Sequence, residues 1–133
     1  MPPVVTALYA ALNAILNIAL AYRVSNLRTK HKVSLGVDED PKSPLNVGIR
    51  AHGNNAEFVP LAIVMMLVTE LCGGKAMWLH IIGGTLLLAR ILHPIGLPLK
   101  APNPARWLGV ALTFVTIVAT SAYALYLRFQ LTS

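Results

Sequence analysis

The sequence predicts an all-α integral membrane protein built as a bundle of four membrane-spanning helices. Of its 133 residues, 56% are hydrophobic and only 12% are charged, and the mean hydropathy is +0.63. Four apolar stretches are also long enough to cross a hydrocarbon core, which requires about 20 residues of helix. These predicted spans are residues 3–22, 45–71, 76–95 and 105–127. Because they occupy most of the chain, we expect residues 1–133 to form a single transmembrane domain.

The first predicted span carries Tyr9, Asn13 and Asn17 at helical spacing on one stripe. Polar residues at this spacing usually form hydrogen bonds across membrane helices. We therefore predict that the stripe is a packing seam. The residues before it lack the basic region of a signal peptide, so we expect this segment to be retained as a span.

Lysine and arginine residues are unevenly distributed among the connections, and this predicts the topology. The connection between the first two spans has Arg23, Arg28, Lys30, Lys32 and Lys42, the last has Lys100 and Arg106, and the middle one has only Lys75. By the positive-inside rule, the first and last connections are cytoplasmic and both termini lie on the opposite side. This bias accounts for the net charge of +6. Nucleic acid is not an expected partner, since no solvated basic face with stacking aromatics is present.

The second predicted span contains Arg50, Asn54 and Glu57, spaced four and three residues apart, so a helix presents all three on one face. An ionisable group at membrane depth costs at least about 2.5 kcal/mol, so this face must meet protein, water or a polar ligand. Arg50 and Glu57 would lie about 10 Å apart along the helix axis, which suits a zwitterion with a carboxylate and an ammonium. The alternative is an internal network in which Arg50 and Glu57 bind partners on neighbouring helices.

Two dipeptides predict where the second and fourth helices begin. Ser43 followed by Pro44, and Asn103 followed by Pro104, each have the pattern of an N-cap residue and a proline in the first helical position. Both helix N-termini would then open at the cytoplasmic face, where their unpaired N–H groups and partial positive charge favour carboxylates or phosphates. No spacing of His with carboxylates indicates a metal site.

The third and fourth predicted spans add further polar groups. Arg90 and His93 lie three residues apart and share a helix face. Arg90 could instead extend to the membrane interface, and His93 could be a hydrogen-bonded packing residue. The threonines of the fourth span, Thr113, Thr116 and Thr120, have the spacing of a second packing seam.

Residues 50–60, with the sequence Arg-Ala-His-Gly-Asn-Asn-Ala-Glu-Phe-Val-Pro, lie at the start of the second of four predicted spans. This segment resembles the signature of the MAPEG superfamily, the membrane-associated proteins in eicosanoid and glutathione metabolism. The resemblance covers essentially the full chain and is closest to the short bacterial members, so we expect an integral protein of a bacterial inner membrane. It implies a homotrimer of four-helix subunits that binds glutathione at each subunit interface.

The resemblance also implies roles for individual residues. Those that match glutathione contacts are Arg50, Asn54, Glu57, Arg90 and His93. Arg106 matches a family arginine linked to the thiol, and its role would be to stabilise the thiolate, which is scarce at neutral pH for a thiol with a pKa of about 8.5. A lipophilic substrate would enter from the membrane lipid. The implied activity is a membrane glutathione transferase or peroxidase.

Three positions depart from the family pattern. Gly53 replaces a basic residue, Leu97 replaces a tyrosine and Trp107 replaces a serine that particular members have. The missing tyrosine and serine argue against isomerase chemistry of the prostaglandin type. An alternative function is therefore a non-catalytic lipid-binding or scaffolding membrane protein of the same fold.

Overall fold

The computed structural model describes residues 2–131, which form the four helices α1 (Val4–His31), α2 (Pro44–Leu71), α3 (Ala76–Gly96) and α4 (Pro104–Gln130). All four are long and apolar enough to cross a membrane. The predicted all-α, four-span fold is thus confirmed, and the predicted ends agree with the helices to within three residues at every end but one.

The exception is α1, which continues nine residues beyond the predicted span and ends at His31. Arg23, Arg28 and Lys30 therefore lie on a helix rather than in a loop. Apolar length sets the minimum extent of a span, whereas Arg and Lys are themselves good helix formers and are favoured in a last turn. Lys32 caps the C-terminus of the helix: it adopts a left-handed conformation with φ 55° and donates its backbone N–H to the last turn.

The predicted starts of α2 and α4 are confirmed by their caps. The Ser43 hydroxyl accepts a hydrogen bond from the backbone N–H of Asn46 at 3.2 Å. The Asn103 side-chain oxygen accepts one from the N–H of Arg106 at 2.9 Å. In each helix a proline follows the cap directly, where its missing N–H breaks no helical bond.

The helices pack so that α2 and α3 contact each other and both contact α1 and α4, while α1 and α4 do not meet within the described residues. The interior combines apolar side chains such as Leu45, Met66 and Leu86 with many polar ones. The outer surface is strongly apolar and includes Ile15 and Val118. A polar interior beneath an apolar surface is the arrangement expected when lipid surrounds the bundle, because lipid provides no drive to bury apolar groups.

The predicted α1 seam forms hydrogen bonds to two neighbouring helices. The Asn17 side-chain oxygen accepts from Nδ2 of Asn55 in α2 at 3.0 Å. The Tyr9 hydroxyl donates to the carbonyl of His80 in α3 at 3.1 Å. Asn13 differs, since its Nδ2 donates to the Tyr9 carbonyl within α1 at 2.8 Å. Two of the three predicted residues therefore bridge helices.

The α4 threonines are buried, as expected for a seam. Their hydroxyls, however, donate to carbonyls four residues earlier in α4, as Thr116 does to Leu112 at 2.7 Å and Thr120 to Thr116 at 2.6 Å. The small side chains thus allow close packing while satisfying their own hydroxyls.

The N-terminus of α1 is capped by a residue that the sequence analysis did not single out. Glu70, in the last turn of α2, accepts hydrogen bonds from the backbone N–H groups of Val5 at 2.9 Å and Thr6 at 2.7 Å. The residue at the N-cap position, Pro3, makes no side-chain cap bond. A carboxylate at a helix N-terminus satisfies orphan donors and interacts favourably with the helix dipole.

We expect Glu70→Gln to lower the free energy of unfolding by about 1–2 kcal/mol, because glutamine keeps one acceptor and loses the charge. The measurement is unfolding of the detergent-purified protein, followed by circular dichroism. Glu39→Gln is the matched control, since Glu39 is an exposed carboxylate in the α1–α2 connection. Equal effects of the two substitutions would show that the cap contributes nothing.

Candidate functional site: a basic pocket at one end of the bundle

A cavity of about 610 Å³ opens at the end of the bundle that holds the α1–α2 and α3–α4 connections. Four of its lining residues are cationic, namely Lys42, Arg50, Lys100 and Arg106, and none is a carboxylate. The rest of the lining comes from Val47 in α2, Pro41 and the segment 97–101. We call this cavity the basic pocket.

The basic pocket has a positive potential from two sources. Its four cations have no carboxylate among the lining residues to neutralise them. Helices α2 and α4 also begin at this end, and the dipole of each helix adds about half a positive charge at its N-terminus. An anion that enters is therefore attracted by side chains and helix dipoles together.

Two of the predicted site residues, Arg50 and Arg106, both line the wall of the basic pocket. They belong to different helices, since Arg50 follows the first turns of α2 and Arg106 lies in the first turn of α4. Their convergence follows from the N-caps, which start both helices at the same end of the bundle.

Arg90 is buried, with only 1% of its surface exposed, so the alternative that it extends to the membrane interface is wrong. Its Nη1 donates to the Asn54 side-chain oxygen at 2.9 Å, and its Nη2 donates to the Gly109 carbonyl at 3.0 Å and to the Thr113 hydroxyl. Arg90 thus connects α3 to both α2 and α4. No carboxylate pairs with it within the described residues, and its Nε has no hydrogen-bond partner.

His93 is also buried, at 5% exposure, and packs against α4 where that helix has Gly109. A Cβ atom at Gly109 would lie 2.8 Å from both Cα and Cβ of His93, so only glycine permits this approach. His93 lies three residues after Arg90 in α3, and Gly109 lies three residues after Arg106 in α4. The contact between His93 and Gly109 therefore brings α3 and α4 together one turn from both arginines.

The remaining predicted residues are separated by the fold. Asn54 accepts a hydrogen bond from Arg90 of α3. Glu57 is exposed on the outer face of α2 and does not line the basic pocket. One chain alone therefore does not bring Arg50 and Glu57 into a single cavity.

The wall of the basic pocket includes two lysines that the sequence analysis used only for topology, Lys42 and Lys100. Lys42 is carried by a folded connection, in which Asn46 donates to the carbonyls of Asp38 at 2.9 Å and Asp40 at 2.7 Å. The backbone N–H of Asp40 hydrogen-bonds the Asp38 carboxylate and lowers its pKa, an effect to which the adjacent His31 contributes. The connection that carries Lys42 is therefore held in a defined conformation by Asp38, Asp40 and Asn46.

The fold and this pocket define a small integral membrane protein whose four helices form an anion-attracting site at one end. A family model described as the MAPEG family matches residues 6–126, and the chain belongs to this family. The chain is also similar to the inner membrane protein YecN of Escherichia coli K12 and to its counterpart in Escherichia coli O6:H1. Each is 40% identical over 92 residues, which covers 69% of this chain and 69% of the relative. The resemblance seen in residues 50–60 is thereby confirmed.

Proposed function

We propose that this protein is a glutathione-dependent transferase or peroxidase of a bacterial inner membrane, and that it acts as a homotrimer. The observation that carries the proposal is the basic pocket, which presents four cations and no carboxylate to an incoming anion. Membership of the MAPEG family and similarity to an inner membrane protein support the same assignment.

In this proposal the carboxylates of glutathione bind in the basic pocket, where Arg50 and the flanking lysines provide charge-assisted hydrogen bonds. Arg106 stabilises the thiolate over the thiol, because a nearby positive charge favours the ionised form. Bound glutathione would supply a thiolate nucleophile for a lipophilic substrate that enters from the lipid. It would form a C–S bond while a leaving group departs or a strained or double bond opens, or it would cleave the O–O bond of a hydroperoxide to give an alcohol, with a second glutathione completing the reduction as the disulfide forms. Arg90 and His93 lie inside the bundle, where Arg90 is held by hydrogen bonds to Asn54 and Gly109.

The trimer accounts for Glu57. An exposed carboxylate on a membrane-spanning helix is costly when it faces lipid. A neighbouring subunit that packs on this face of α2 would shield Glu57 from lipid. The interface between the two subunits would then enclose a ligand site that extends from Arg50 to Glu57. The ammonium of glutathione would then bind Glu57 while its carboxylates bind the basic pocket.

The test is a glutathione titration of the detergent-purified protein that follows the ultraviolet absorption of the thiolate. We expect a saturable signal, and we expect Arg106→Ala to reduce the bound thiolate about tenfold, since one unit of thiol pKa corresponds to that factor. Arg23→Ala is the matched control, because Arg23 is exposed on α1 and does not line the basic pocket. A wild-type protein without any thiolate signal would contradict the proposal.

A second candidate is a non-catalytic lipid-binding or scaffolding protein of the same family. The observation that favours it is the hydrogen bond from Arg90 to Asn54 within one chain. This bond occupies two of the residues that would otherwise contact glutathione. This candidate predicts lipid binding that survives Arg106→Ala, together with no thiolate signal in the titration above.

A further inference from the structure

A second cavity lies at the end of the bundle opposite the basic pocket, where the α2–α3 connection meets the last turns of α4. Its volume is about 390 Å³, within the range of small-molecule sites. The connection contributes Gly73 and Lys75 to the wall. The rest of the wall comes from α3 and from one face of α4, namely Trp78, Tyr123, Tyr126, Leu127 and Gln130. We call this cavity the aromatic pocket.

One hydrogen bond joins the two parts of the aromatic pocket. The backbone N–H of Lys75 donates to the Tyr123 hydroxyl at 2.8 Å. The Tyr123 oxygen is thus fixed beside Lys75, and its own O–H proton remains available to donate. Within the described part of the chain, that proton has no acceptor.

The aromatic pocket offers hydrogen-bond donors and positive charge, and none of its described lining residues is a carboxylate. Lys75 is exposed and forms no ion pair within residues 2–131. Trp78 carries an indole N–H, and Tyr126, like Tyr123, carries a phenolic O–H. An acceptor-rich anion can use these donors, whereas a cation would meet Lys75 without a compensating negative charge.

The position of the aromatic pocket indicates which anion it suits. Helix α2 ends at Leu71 and α3 begins at Ala76, so the pocket lies where two membrane-spanning helices end. Phospholipid phosphates lie at this level, and tryptophan and tyrosine are enriched there. A phosphodiester carries one negative charge, which matches the one lysine in the wall.

We propose that the aromatic pocket binds a phosphodiester whose alcohol group is uncharged, such as the glycerol phosphodiester of an acidic phospholipid headgroup or its soluble counterpart. The Lys75 ammonium and the Tyr123 hydroxyl donate to the phosphate oxygens. A headgroup that carries an ammonium binds less well, because this second cation would lie near Lys75 with no carboxylate to pair with it. The site does not depend on glutathione or on thiolate formation.

The neighbouring subunit of the proposed function packs away from the aromatic pocket. It covers the face of α2 that carries Glu57, and no residue of α2 lines this pocket. Residues 57–71 span about 20 Å of helix axis, so Glu57 lies far from the end of α2 that leads into the pocket. Lys75, Trp78 and Tyr126 are exposed in the chain, which leaves them accessible to a ligand.

Trp78 itself can report on ligand binding. The chain has two tryptophans, so Trp107→Phe leaves Trp78 as the source of tryptophan fluorescence. The full-length variant, purified in a non-ionic detergent, is titrated with dihexanoyl phosphatidylglycerol and with its phosphatidylcholine analogue. We expect the glycerol lipid to shift the fluorescence saturably and to bind about tenfold more tightly than the choline lipid, which corresponds to one charge interaction of moderate strength.

A third probe, glycerophosphoglycerol, has the same phosphodiester without acyl chains and distinguishes the two sources of the ligand. Binding equal to that of the lipid would support the proposal with a soluble phosphodiester as the ligand. Weaker binding would support it with a membrane phospholipid as the ligand.

Lys75→Gln should weaken the affinity for phosphatidylglycerol about tenfold through the loss of one charge-assisted hydrogen bond. This variant is expected to fold, because it changes an exposed side chain and keeps the backbone N–H that binds Tyr123. Lys30→Gln is the matched control, since Lys30 is exposed at the other end of the bundle and lines neither pocket.

Equal affinities of the glycerol and choline lipids would overturn the proposal, and so would equal effects of the two lysine substitutions. The proposal would also fail if no probe changed the Trp78 fluorescence, which is the result expected when another subunit covers the pocket. None of these probes contains a thiol, so the outcome is independent of the glutathione titration.

Discussion

Replacing Gly96 with alanine is expected to destabilise the fold by about 3 kcal/mol, through overpacking at the contact between α3 and α4. A Cβ atom at position 96 would overlap the backbone nitrogen of Arg106 and would lie 2.7 Å from the Asn103 side-chain oxygen. Neither neighbour can move freely, because the first is backbone and the second caps α4. Asn103 also donates to the Gly96 carbonyl at 2.9 Å, so one displacement breaks both contacts.

Unfolding followed by circular dichroism in detergent would measure this effect, with Gly53→Ala as the matched control. Gly53 lies in α2, and a Cβ atom there would meet nothing within 4 Å. Alanine at position 53 is therefore expected to leave the stability unchanged or to raise it by roughly 0.5–1 kcal/mol, as in an open helical position. If Gly96→Ala were as stable as Gly53→Ala, the close approach of α3 and α4 would be wrong.

Gly96→Ala should also impair the basic pocket, because the contact it disrupts positions Arg106. The start of α4 is held against the end of α3 by Gly96 and Asn103. A displaced α4 moves Arg106 relative to Arg50, which lies on α2. We therefore expect weaker anion binding in this variant, measured in the same glutathione titration.

The helices and their starts could be predicted from the sequence because their determinants are local. Apolar length identifies a span, and Ser43 and Asn103 cap the helices that follow them through the third residue along the chain. The end of α1 was missed because helix propensity continues past the apolar segment to His31.

The candidate site could be predicted only in part, because its contacts join residues that are distant in sequence. Arg50 and Arg106 were found as charges near two helix N-termini, and they do meet in one pocket. The partner of Asn54 is Arg90, 36 residues away, and the cap of α1 is Glu70, which is 64 residues from Thr6. No local pattern indicates such pairs. Glu57 was expected to bind the same ligand as Arg50 because both share a helix face, yet Glu57 does not line the basic pocket, since a shared face does not place two side chains in the same cavity.

Arg90 makes the energetics of the site unusual. It is a buried guanidinium without a carboxylate partner among the described residues, and removing such a charge from water costs several kcal/mol before compensation. Its hydrogen bonds to Asn54, Gly109 and Thr113 offset part of that cost. An anion in the basic pocket would offset more of it, so the proposed ligand and the buried charge stabilise each other.

We therefore expect Arg90→Met to fold while binding glutathione more than tenfold more weakly. The groups that accept hydrogen bonds from Arg90 are not left unpaired in this variant. The Gly109 carbonyl still accepts from the Thr113 hydroxyl at 2.6 Å, and Asn54 is only half-buried, so its side-chain oxygen can reach water. For a separation on the order of 10 Å and an effective dielectric constant of about 20, the lost attraction is roughly 1.7 kcal/mol. That energy corresponds to slightly more than a tenfold change in affinity.

The measurement pairs the unfolding temperature with the glutathione titration, and Arg90→Lys separates charge from geometry. Lysine keeps the positive charge but not the planar fork that reaches both α2 and α4. If charge is what matters, Arg90→Lys retains most of the affinity while Arg90→Met loses it at similar stability. Wild-type affinity in Arg90→Met would assign Arg90 to the fold alone and would leave the basic pocket to act through Arg50, Arg106 and its two lysines.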